Sequence, residues 1–236
     1  MSGRRAAAST PRRTVLAESR WPAVVALAVA LAAYAALPSS VPLLLRGVVV
    51  GLGVALIVPV LLLNPGRLDK QTRWSRILSL AQALLLLVAN LVALGILVHA
   101  LITAERKDGP AVLLAALQVW ATNVIAFALV YWELDRGGPV ARRREARGEL
   151  PKADFRFPQD EDADAIEEVA AGSSAHSDWA AGYVDYLYFS LTNSMAFSPT
   201  DVMPLSYRAK ALMGVEAFTA FVVLALVIAR AVSLLG

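Results

Sequence analysis

Five long apolar runs divide this chain. Residues 21–37, 41–63, 77–102, 111–132 and 211–235 are nearly free of charge. Each is close to the roughly 17–25 residues that cross a bilayer's hydrocarbon core as a helix. Hydrocarbon offers no water to peptide N–H and C=O groups, so such a segment must bond its own backbone, and a helix does so. Charged residues make up 17% of the 236 residues and hydrophobic ones 58%, where a soluble domain carries about 25% charge. The fold class that follows is an all-α, polytopic membrane helix bundle, with the lipid bilayer as its first partner.

The same counts exclude several functions. There is no cysteine, hence no disulfide, thiolate metal site or thiol nucleophile. His99 and His176 are the only histidines and have no carboxylates at ligand spacing, so no zinc site is expected. No Gly-rich phosphate loop or Gly-x-Ser-x-Gly elbow occurs. The chain therefore reads as having no cofactor, no metal and no enzymatic site. Its net charge of +3 comes from basic residues placed between the apolar runs, where the positive-inside rule puts them. With no basic face interleaved with aromatics, nucleic acid is not a partner.

Four regions follow in order. Residues 1–20 are a basic tail carrying Arg4, Arg5, Arg12, Arg13 and Arg20. Pro11 to Leu16 has a faint likeness to a twin-arginine signal, but the many later spans favour a cytoplasmic tail and a retained anchor. Residues 21–135 form a four-span bundle. Within it, Gly47 and Gly51 at four-residue spacing suit close helix packing, either inside one subunit or across a homo-oligomer. Residues 136–178 are a charged linker, basic first (Arg142, Arg143, Arg144, Arg147) and acidic later (Asp160, Glu161, Asp162, Asp164). With few large apolar residues it is expected to bury no core and to be disordered or partly helical. Residues 179–236 are a C-terminal two-helix module. Lys and Arg crowd the tail, residues 64–76 and the linker, which places all three in the cytoplasm of a plasma (inner) membrane protein.

The C-terminal module carries a resemblance. Asp185-Tyr186-Leu187-Tyr188-Phe189-Ser190-Leu191-Thr192 resembles the pore helix of potassium channels, which leads there to Thr-Val-Gly-Tyr-Gly-Asp. In register, Ala196 to Thr200 fall on the filter, and Asp201 on the aspartate after it. The segment also resembles the ends of a broad group of uncharacterised bacterial membrane proteins. The family's filter turns successive carbonyls on the ion through backbone shapes that glycine adopts at low cost. Here Ser198 and Thr200 occupy the glycine positions, and Pro199 replaces the aromatic. The resemblance implies a channel-like scaffold without a potassium filter. Ser198, Pro199 and Asp201 also read as the cap, first residue and third residue of a short helix.

Residues 179–197 are long enough, at about 28 Å of helix, to cross completely. The parity of the charge pattern favours that crossing, giving about six spans, residues 198–210 outside and both termini in the cytoplasm. Five spans plus a re-entrant helix is the alternative. Asp185, Thr192, Asn193, Ser194, Ser198, Thr200 and Asp201 form the expected polar surface, with Glu216 near it. Asn123 or Asp185 could share a polar site with Glu216, and Lys210 or Arg208 could cap it. A carboxylate at that depth costs several kcal/mol unless paired or hydrated. Asn90, Gln118 and Asn123 suit helix-to-helix hydrogen bonds, while Glu133 and Asp135 are expected merely to end the fourth span. Two functions remain: passage of an ion or small polar solute, or a non-conducting scaffold or accessory subunit acting through its linker. Homo-oligomerisation through Gly47/Gly51 or the C-terminal module fits either.

Overall fold

Apolar runs become helices here, and the polar residues inside them decide how the helices face. The computed structural model describes residues 17–37, 43–63, 72–103, 108–195 and 201–235. Four helices come first: α1 (Trp21–Ala35), α2 (Leu43–Leu63), α3 (Arg73–Thr103) and α4 (Gly109–Leu134). Pro22 and Pro110 open α1 and α4, where a helix has no intrahelical N–H bond to lose. A reversal follows at Asp135–Gly137, with φ of 82° at Gly137 and 97° at Gly138. A Cβ on Gly137 would meet Pro151 and Ala141 at 3.2 Å, so both backbone shape and space call for glycine. Then come α5 (Pro139–Arg144), β1 (Phe155–Arg156), α6 (Glu167–Ala170), α7 (Ser174–Ser177), α8 (Tyr183–Ser194), β2 (Met203–Pro204) and α9 (Tyr207–Leu235). The all-α class holds, since the described strands are one pair of two residues each.

α4 is the axis, packed against α1, α3, α8 and α9. Three helical stretches, Arg73–Thr103, Gly109–Gly137 and Tyr207–Leu234, are long and apolar enough to cross a membrane. Large apolar side chains such as Leu44, Val88, Leu117, Phe218 and Ile228 are exposed on the bundle's outside. Polar groups bond inside it: Gln82 donates to the Gly53 carbonyl at 2.9 Å and Asn90 to Asn123 at 2.7 Å. That distribution, apolar outward and bonded polar inward, is what a hydrocarbon solvent selects. Gly53 is the tightly packed glycine of α2, against Leu31, whereas Gly47 and Gly51 are exposed with nothing beside them.

Residues 136–178 depart from expectation, because they are folded onto one end of the bundle. Phe155 is 1% exposed and Phe157 3%. Phe155 packs on Tyr131 and Phe189, and Phe157 on Tyr186 and Trp179. The linker needs few apolar residues of its own, since the helices supply the rest of the core. Its opposite charges meet: Arg136 pairs with Asp160, Arg156 with Glu161 and Arg147 with Asp178. The residues just before α1 dock here too. Glu18 accepts from Trp132 Nε1 at 3.1 Å and from the Tyr183 N–H at 2.6 Å. Burial pushes the Glu18 carboxyl above the usual carboxylate range, while Arg142 and Arg143 pull it down.

The fifth segment does not cross. α8 has 12 residues, about 18 Å of helix, and starts at the linker end, where Gly182 lies beside Glu18. It descends until Ser190 meets the Val124 carbonyl, two to three turns inside α4. Yet Met203 and Pro204 pair with Arg156 and Phe155, so the chain has returned to the linker end. α8 is therefore re-entrant, and residues 201–206 lie beside the linker instead of opposite it. α9 then runs the full bundle, and Leu234 reaches Gly109 at the far end. The first and last described residues thus lie at opposite ends of the bundle.

In a chain without cysteine, Glu168→Cys and Met203→Cys should react with an impermeant maleimide from the same side of oriented vesicles, and Ser233→Cys from the other. Met203→Cys reacting with Ser233→Cys would contradict the re-entrant path. Deleting residues 140–176 should leave no monodisperse protein in detergent, since Phe155 and Phe157 leave the core; an unchanged melting temperature would count against the folded linker.

Candidate functional site

Glu216 lies in the third turn of α9 and is 0% exposed. A carboxylate there must find donors, and four side chains provide them. Oε2 accepts from the Tyr131 hydroxyl at 2.6 Å and from Asn193 Nδ2 at 2.6 Å. Oε1 accepts from the Ser190 hydroxyl and, at 3.1 Å, from the Ser194 hydroxyl. Ser190 and Ser194 are one helical turn apart on α8 and face α9 together, with Asn193 beside them. Asn193 Nδ2 also donates to the Met213 carbonyl at 3.2 Å, so the amide stitches α8 to α9. Ser190 has one proton and two acceptors, Glu216 and the Val124 carbonyl at 2.8 Å. It can donate to a carboxylate. It can equally accept from a protonated Glu216 while donating to Val124, so both protonation states fit without moving a backbone.

A second buried carboxylate lies nearer the linker. Asp135, 0% exposed, accepts from the Tyr186 hydroxyl at 2.5 Å, the Asp154 N–H at 2.8 Å and the Phe155 N–H at 3.4 Å. Arg142 is 1% exposed; it donates to the Trp132 and Asp135 carbonyls at 2.7 and 2.8 Å, and its guanidinium stands 4.9 Å above the Tyr186 ring. Between the two carboxylates lie three rings in mutual contact, Tyr131, Phe155 and Phe189, with centroids 4.9 to 5.0 Å apart. On the other side of Glu216, where α8 ends, a cleft of about 260 Å³ opens between α4 and α9. Leu113, Leu117, Trp120 and Val223 line it, and Ser194 stands in its wall. Among the described residues no three His, Cys, Asp or Glu side chains converge as metal ligands would.

Of the residues expected at the site, Asn193, Ser194 and Glu216 come together. Thr192 does not join them, because its hydroxyl donates back to the Tyr188 and Phe189 carbonyls. Asp185 caps α8 by accepting from the Gly182 N–H at 2.7 Å. Asn123 is held by Asn90, so neither shares the Glu216 site. Asp201 is exposed, while Ser198 and Thr200, with the rest of the filter register and the helix cap proposed there, lie outside the described residues. The cations expected to cap Glu216 are elsewhere: Arg208 holds Asp154, and Lys210 stands over Tyr207. Tyr131, Ser190, Tyr186 and Asp135 are functional candidates the sequence reading passed over. The signal for two of them, Tyr186 and Ser190, was their four-residue recurrence with Ser194.

Comparison with protein-family models, with curated proteins and with solved structures finds no match to this chain.

Removing a donor to Glu216 should cost more than removing a neighbour that bonds only its own helix. Tyr131→Phe is expected to destabilise the folded protein by about 1.5–3 kcal/mol, and Thr192→Ala by less than about 0.5 kcal/mol, in reversible unfolding by denaturing detergent. Equal effects would contradict the geometry.

Proposed function

We propose that this is an integral membrane protein that passes protons, alone or with a small polar solute, and that Glu216 carries the proton. The observation that carries this reading is the Ser190 hydroxyl, placed between Glu216 and the Val124 carbonyl so that the carboxyl group can be loaded or unloaded in place. A titratable side chain fully buried among membrane-crossing helices has function as its default explanation. The surroundings fit a path. Ser194 links Glu216 to the cleft between α4 and α9, and the Tyr131–Phe155–Phe189 rings close the direction towards Asp135.

The order of elements, a re-entrant helix and then a long helix, is also the order the potassium-channel resemblance implies, here without a potassium filter. The entry side differs from that family in our assignment. Arg20, Arg76, Arg142, Arg143, Arg147 and Arg208 gather at the linker end, which we assign to the cytoplasmic face of the plasma membrane by the positive-inside rule. The N-terminal residues then face the cytoplasm and the C-terminus the other side.

A second reading, a non-conducting scaffold or accessory subunit, has its own support. Asp164, Glu167 and Glu168 present an exposed acidic surface on the linker, suited to a basic partner.

Reconstituted into liposomes under a pH gradient, the wild type should carry protons as read by an internal pH dye. Glu216→Gln should abolish this flux while eluting as the folded protein. Absence of wild-type flux under every gradient of pH, potential and small solutes would refute transport and leave the scaffold reading; full flux in Glu216→Gln would refute Glu216 as the carrier.

A further inference from the structure

Outside the helical bundle, the folded linker borders a half-open cavity of about 310 Å³. That is about ten times the share of liquid volume taken by one water. Its described lining carries four cations, Arg136, Arg142, Arg147 and Lys152, and one carboxylate, Asp160. Asp160 is already engaged by Arg136 and by the Ser174 hydroxyl. The cations are layered. Arg142 forms the floor at 1% exposure, Arg136 the wall, and the exposed Lys152 and half-exposed Arg147 the rim. Leu150, Pro151, Ala153 and Trp179 complete the wall with apolar surface.

We infer that this cavity binds a phosphate group carried on a small organic body. The excess of cationic over anionic lining selects an anion. Guanidinium forks match the paired oxygens of a phosphate. Arg136 holds Asp160, Arg142 the Trp132 and Asp135 carbonyls and Arg147 Asp178, so a bound phosphate would share these groups with their protein acceptors and add Lys152 at the rim. The apolar wall and the volume suit a phosphoester rather than a bare ion. The cavity also sits at the end of α4, beside Arg136, where an inner-leaflet headgroup would lie. The same chemistry is offered by an anionic lipid headgroup and by a soluble phosphoester. The inference does not depend on proton passage through Glu216.

The test uses the full chain and two probes. In neutral detergent, glycerol 3-phosphate is titrated against sodium chloride of matched ionic strength, following the thermal unfolding midpoint. In nanodiscs, phosphatidylglycerol is compared with phosphatidylcholine by the same readout. Lys152→Glu reverses a rim charge on an exposed residue and should fold normally. It should weaken binding by about tenfold or more. Lys210→Glu, at the same end but outside the cavity, should bind as the wild type does. Stabilisation by glycerol 3-phosphate that Lys152→Glu removes identifies a soluble ligand. Stabilisation only by phosphatidylglycerol, removed in the same way, identifies a lipid headgroup. No stabilisation by either probe, or equal losses in the two variants, overturns the inference.

Discussion

A carboxylate held inside a bundle with hydrocarbon outside must be fully bonded, and Glu216 meets that demand by recruiting three helices. Tyr131 comes from α4, Ser190, Asn193 and Ser194 from α8, and Glu216 itself from α9. None of these helices can satisfy the group alone. α8 is too short to cross, so its polar face would be costly in lipid. Docked on Glu216 and Val124, the same face becomes the strongest reason for α8 to stop where it does. Bonds from several donors to one buried charge each contribute more than neutral pairs do.

A second layer of the same logic holds the linker. Asp135 ends α4, accepts from Tyr186 on α8, and receives two backbone N–H groups from residues 154 and 155. Phe155 is thereby set between the carboxylates, against Tyr131 and Phe189. Asp154 in turn accepts from Ser206 and Arg208, which fixes the start of α9. The path from α4 to the linker and back to α9 is a chain of bonded carboxylates. This is why a segment poor in apolar residues is nonetheless ordered. It also means that the re-entrant helix and the linker share one packed core through Phe155.

Much of this was legible in sequence, and the failures share one cause. Apolar runs located the helices, and the price of burying charge singled out Glu216. Asn193 and Ser194 were recognised as polar residues that hydrocarbon would not tolerate. What sequence could not supply was depth. Asp135 at the end of an apolar run looks like an interface residue, and only the fold shows it covered by Phe155 and Tyr186. Asp185 and Thr192 looked equivalent to Asn193, but Asp185 lies two turns earlier, where it caps α8 through the Gly182 N–H, and Thr192 bonds back to its own helix. The choice between six spans and five with a re-entrant helix turned on the same missing depth, since 19 suitable residues from 179 to 197 do not reveal that α8 ends at Ser194. The linker was misjudged because composition counts only its own apolar residues and not those of the helices that cover it.

The dependence of α8 on Glu216 is open to one direct measurement, amide hydrogen exchange along residues 186–194 in the wild type and in Glu216→Ala, which removes every bond to the group. The account predicts slow exchange in the wild type. In the variant, exchange should be faster in α8 and in the first turns of α9, with α3 unchanged. Equal protection of α8 in both proteins would show that the helix is held by something other than Glu216, and would contradict the account.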